Sequence, residues 1–102
     1  MWHKVAKLSD ITPEKPQIAE VEGKQIALFN VDGTIYAIDG VCPHRGGPLG
    51  EGYLDGSEVT CPWHAWTFDV KSGVCQTVPG VTQKTFKVKI ENEEVFIDTG
   101  SA

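Results

Sequence analysis

Cys42-Pro43-His44 and Cys61-Pro62-Trp63-His64 are the two stretches on which the reading of this chain turns. Each holds one cysteine and one histidine, two positions apart in the first and three apart in the second. Sixteen residues separate His44 from Cys61. Two thiols and two imidazoles at such spacing are metal-donor chemistry. Use of either cysteine as a nucleophile is disfavoured, because no separate base and orienting acid stand out.

Working outward, residues 40–56 hold Gly40, Gly46, Gly47, Gly50, Gly52 and Gly56 together with Pro43 and Pro48. Beyond this stretch the chain reads as β. Thr85–Ile90 alternates, with Phe86, Val88 and Ile90 on one face and Thr85, Lys87 and Lys89 on the other, which predicts a half-buried strand. Glu91–Glu94 turns the chain, and Val95–Ile97 is its partner. Gln25–Asn30 and Thr34–Ile38 flank Val31-Asp32-Gly33, whose Asp-Gly pair is a hairpin signal. Ile18–Val21 leads through Glu22-Gly23 into that hairpin, and Trp2–Leu8 is a first strand. Pro13 and Pro16 keep the intervening stretch irregular. No segment sustains a 3.6-residue period, so helix content should be small. Asp55-Gly56 and Ser72-Gly73 mark further hairpins. The expected organisation is one all-β domain over 1–102, with a base from 1–40 and 81–102 and an inserted subdomain at 41–80.

Composition sets bounds. Hydrophobic residues make up 40% and charged residues 23% of the 102, ordinary for a globular domain. A chain of this length buries roughly 60–70% of its unfolded surface, so bound metal would add cross-linking. Nine basic against 14 acidic residues give a net charge of −5, which disfavours nucleic acid and anionic membrane as partners. No apolar run reaches the roughly 18 residues of a membrane span. Met1-Trp2-His3-Lys4 is not followed by the apolar stretch of a secretory signal. Three cysteines, an odd number, argue against a disulfide framework. A reducing, cytoplasmic setting is expected. Cys75 reads as a small core residue, and His3 as an exposed one near the terminus.

Four tetrahedral donors to one zinc would satisfy the same residues, but zinc fingers group cysteine with cysteine and histidine with histidine. Mixed pairs suit instead a 2Fe-2S cluster in which one iron takes two thiolates and the other two imidazoles. Cys42-Pro43-His44-Arg45-Gly46-Gly47 and Cys61-Pro62-Trp63-His64-Ala65-Trp66, with Pro79 beyond them, resemble the Rieske family, in particular its small ferredoxins and oxygenase-associated domains. That resemblance implies an antiparallel β-sandwich base carrying a small β cluster-binding subdomain. It implies that Cys42 and Cys61 ligate the inner iron, and His44 and His64 the outer. Arg45, Gly46, Gly47, Trp63 and Ala65 would then flank the cluster, and Pro79 would lie in a covering loop. Glycine-freed amides in 40–56 could approach its sulfurs as N–H···S donors. Gly46, Gly47, Pro48 and Leu49 would form an apolar rim around the imidazoles.

The departures from the family's high-potential members are informative. Gly47 and Trp63 stand where those members carry two disulfide-bonded cysteines. Trp66 and Phe68 stand where they place Ser and Tyr hydroxyls, and Ala65 replaces the usual glycine. Fewer donors to the sulfurs stabilise added negative charge less, so the expected potential lies at the low end of the Rieske range, roughly −150 mV. The resemblance implies a monomeric one-electron carrier, itself no enzyme, between an NAD(P)H-dependent reductase and a terminal oxygenase. The small Rieske subunit of an assimilatory NAD(P)H nitrite reductase is the alternative, and a zinc-bound interaction module the alternative of another class.

Overall fold

The computed structural model describes residues 2–12, 14–41, 49–62 and 66–98. Its frame starts with β1 (Trp2–Lys7), after which a 3₁₀ turn at Leu8–Asp10 leads towards a meander. That meander is β2 (Gln17–Val21), β3 (Lys24–Val31) and β4 (Thr34–Asp39). Its tight turns are Glu22-Gly23, with φ of 53° and 79°, and Asp32-Gly33, with φ of 52° and 88°. Two left-handed residues in succession give a turn whose twist matches that of paired strands. Asn30 Oδ1 accepts the Gly33 N–H at 2.9 Å and pins the second turn. The Asp-Gly signal is thus a hairpin in fact.

A small sheet follows, from β5 (Tyr53–Asp55), β6 (Glu58–Thr60) and β7 (Thr67–Asp69), before the chain returns through β8 (Thr85–Glu91) and β9 (Glu94–Asp98). The larger sheet has six strands in the order β1-β9-β8-β4-β3-β2, each antiparallel to its neighbours. Its two outer strands, β1 and β2, come back into contact, so the sheet curls towards a barrel. The fold is all-β, as expected, with no α-helix among the described residues.

Inside the curl lie Ile11, Ile26, Leu28, Ile35, Ala37, Phe86, Val95 and Ile97. The opposite faces of β3 and β4 are also buried: Ala27, Phe29, Val31 and Ile38 pack with Leu49, Val59, Cys61, Phe68, Val70 and Cys75. Strand β3 therefore carries core on both faces, which is why Ile26-Ala27-Leu28-Phe29 is an unbroken apolar run rather than an alternation. In the small sheet Leu54, Val59 and Phe68 stand in register across β5, β6 and β7 and point at that second core.

Two expectations need correction. On β8 Phe86 is buried and Val88 half-buried, but Ile90 is 42% exposed although its cross-strand partner Val95 is fully buried. His3 is half-buried rather than exposed. It alternates inward with Val5, and its Nε2 lies shielded, 3.8 Å from Glu22 Oε1. That distance is ion-pair reach without a hydrogen bond.

Candidate metal centre

Cys61 follows β6 directly. Pleat alternation puts it on the face of Val59, and it is 1% exposed. Its N–H donates to the Trp66 carbonyl at 2.7 Å, which carries the β6–β7 ladder one step past the Thr60–Thr67 pair. Cys61 and Trp66 thus face each other at the end of the β6–β7 ladder. Val59 and Phe68 form the next row on the same face, deeper in the apolar core. Phe68 is fully buried.

The first donor stretch is anchored at its neck. The Gly40 N–H donates to Gln25 O at 2.9 Å, and Gly40 O accepts the Leu49 N–H at 2.9 Å. A backbone bond therefore joins Gly40 and Leu49, the residues that flank 41–48. The Val41 N–H is held by Asp39 Oδ1 at 3.0 Å. From across the sheet, the Gln83 side-chain amide donates to Asp39 O at 3.1 Å and Val41 O at 2.6 Å. Gln83 is 7% exposed. Sequence reasoning missed it, since a lone glutamine between Thr82 and Lys84 carries no periodic or motif signal.

Cys42, His44, Arg45, Gly46 and Gly47, and likewise Trp63, His64 and Ala65, lie outside the described residues. Of the other predicted site residues, Cys61, Trp66 and Phe68 are brought together on one face. Pro79 lies in an exposed turn. Leu49, expected in the apolar rim, is fully buried in the second core, where it packs with residues of β3 and the small sheet. Gly52 also has another role than cluster approach. A Cβ there would collide with the Thr60 carbonyl, so the residue allows two chains to pass closely. Cys75 is a core residue as expected, with its Sγ accepting the Val78 N–H at 3.3 Å.

The donor set suits an iron–sulfur centre. Cys61 offers a thiol at the end of a fixed strand, above a dry floor of Val59, Phe68 and Leu49, with Trp66 across from it. The family of the Rieske 2Fe-2S domain matches residues 1–92. The chain belongs to the Rieske family. The ferredoxin component of a naphthalene 1,2-dioxygenase system from Pseudomonas putida is 46% identical over 99 residues, 95% of this chain and 94% of that protein. Among solved structures, the Rieske chain superposes on the Sphingomonas yanoikuyae B1 ferredoxin with a TM-score of 0.90 at 30% identity, covering 97% of this chain and 99% of that one. It also superposes on a chain from a complex of reduced oxygenase and oxidized ferredoxin in carbazole 1,9a-dioxygenase, with a TM-score of 0.86 at 32% identity over 94% and 91% of the two. Like these relatives, this Rieske protein is an electron carrier and not itself a catalyst.

Proposed function

We propose that the chain holds one 2Fe-2S cluster, with Cys42 and Cys61 on one iron and His44 and His64 on the other. On this reading it passes single electrons from an NAD(P)H-dependent reductase to the terminal oxygenase of a ring-hydroxylating system. When bound, such a cluster supplies a centre that takes up and gives back one electron. The protein's part is to hold it rigidly and dry. Cys61 is fixed by its ladder bond to Trp66, and the Gly40–Leu49 bond joins the residues that flank the segment bearing Cys42 and His44. Phe68, Val59 and Leu49 exclude water beneath it. Residues 41–80 act as the cluster-binding subdomain, with Arg45, Gly46, Gly47, Trp63, Ala65 and Pro79 around the ligands.

The observation that carries this reading is the near full-length match to ferredoxin components of dioxygenase systems in a chain that keeps both Cys/His pairs. Those relatives favour an oxygenase over a nitrite reductase as acceptor. A monomer in the cytoplasm completes the reading. No helix among the described residues is long and apolar enough to cross a membrane.

Two measurements test the proposal. Protein from iron-replete cells should be red-brown, contain two irons and two sulfides, and give on reduction a rhombic EPR signal of low average g. Stoichiometric zinc in its place would overturn the cofactor assignment. Mixed with a ferredoxin reductase, NADH and a naphthalene-type oxygenase, the protein should support ring dihydroxylation. Reduction by the reductase without onward transfer to the oxygenase would overturn the choice of acceptor.

A further inference from the structure

We propose that Gln83 is the positioning residue of the first ligand loop, setting the path on which Cys42 and His44 are presented. The inference rests on the cluster reading above and adds to it a residue from outside both motifs.

Buried backbone polar groups have to be paired, and the pairing at 39–41 is unusually complete. The Asp39 N–H donates to Lys84 O at 2.8 Å, the Gly40 N–H to Gln25 O, and the Val41 N–H to Asp39 Oδ1. Gly40 O accepts from Leu49. The two remaining carbonyls, of Asp39 and Val41, are both taken by the one Gln83 amide. The Val41 carbonyl belongs to the peptide that leads into Cys42. That peptide is the last described one before the first ligand motif, so holding its plane fixes the direction in which the chain enters Cys42. The shorter of the two Gln83 bonds, at 2.6 Å, falls on this carbonyl.

Gln83 is itself fixed. Its N–H donates to Gly73 O at 2.7 Å, and Gly73, at φ +80°, lies so close that a Cβ would collide with the Gln83 carbonyl. Gln83 is the buried polar residue of the described chain. A group merely filling space there would be better apolar, since burying an amide is costly unless both donors are used. Here both are, and both act on the neck of one loop.

The test uses the holoprotein. Gln83→Leu keeps the volume and removes both donors. Gln83→Glu keeps the shape but turns an acceptor-only carboxylate towards two carbonyls. Val95→Ala, in the interior of the six-stranded sheet, serves as a destabilised control. Cluster loss to an iron chelator is followed by visible absorbance, and the reduced protein is examined by EPR. Both Gln83 variants should lose the cluster about tenfold faster than wild type, the change that about 1.4 kcal/mol of lost hydrogen bonding supplies. Their EPR g values should spread, whereas Val95→Ala should keep the wild-type signal. If Gln83→Leu does not accumulate, Gln83→Glu carries the test. Gln83 variants that release iron no faster than Val95→Ala, with an unchanged signal, would overturn the proposal alone. A zinc-loaded wild type would overturn the cluster reading and this inference with it.

Discussion

The six-stranded sheet and the three-stranded sheet solve burial differently. The larger one wraps its own interior, so Ile26, Leu28, Val95 and Ile97 are covered by strands of the same sheet. The smaller one has strands of three residues each and no interior of its own. Leu54, Val59 and Phe68 share a core with Ala27, Phe29, Val31 and Ile38 on the back of the larger sheet and with Leu49, Val70 and Cys75. A sheet that short does not persist alone in water. The small sheet is therefore stabilised by packing against the larger one. That core holds Cys61 as well, and on the proposed reading it would serve as the dry floor of the metal centre.

The comparison would break most completely at the ligands. His44→Ala or His64→Ala should abolish normal cluster assembly while leaving the larger sheet folded, because that sheet's interior needs no metal. Iron analysis alongside circular dichroism checks this, and an intact cluster in either variant would refute the ligand assignment. Phe68→Ala is next. Phe68 is fully buried in the shared core, so truncation should cost about 3–5 kcal/mol. It should hasten cluster loss as well. Val95→Ala, in the enclosed interior, should cost about 0.5–3 kcal/mol and leave the cluster in place at room temperature. Urea titration of the apoproteins with chelator challenge of the holoproteins separates the two. Equal cluster loss in both would mean that the two cores are one.

Cys75→Ser probes the far side of the shared core. A hydroxyl there can still accept the Val78 N–H, so the cluster should remain and stability fall by about 1 kcal/mol. A colourless Cys75→Ser protein would make Cys75 a ligand. The smallest effect is expected of Phe68→Tyr. Its hydroxyl has to find a partner within the core, and Cys61 lies on the same face of the sheet. One added bond of roughly 0.5–1.5 kcal/mol should raise the potential by a few tens of millivolts, since 59 mV is about 1.4 kcal/mol for one electron. Protein-film voltammetry reads this directly against a wild type expected near roughly −150 mV. A clearly positive wild-type value would show that missing hydroxyls do not govern the site.

Local chemistry alone made much of this legible. Asp32-Gly33 and Glu22-Gly23 dictate hairpins through positive φ, and the mixed Cys/His pairs name their metal chemistry through donor type and spacing. What stayed hidden depends on residues distant in the chain. Leu49 looked like rim because its neighbours are glycine and proline, yet it plugs a core built mostly from other segments. His3 looked exposed because β1 is polar in sequence, while the curl of the sheet brings Glu22 over it. The β8 alternation was real, but only the tertiary structure decides that Ile90 stays exposed while its cross-strand partner Val95 is buried. Gln83 acts on carbonyls 42 and 44 residues away. A strand's periodicity records that one face is buried; it does not record what buries it. By itself the sequence determined the turns and the β class, because each follows from dihedrals and alternation within a few residues, and it supplied the ligand candidates on which the proposal rests. Only the tertiary structure decided that β3 is covered on both faces and that Gln83 bonds the carbonyls of Asp39 and Val41. Both are pairings between surfaces that meet only once the chain has closed.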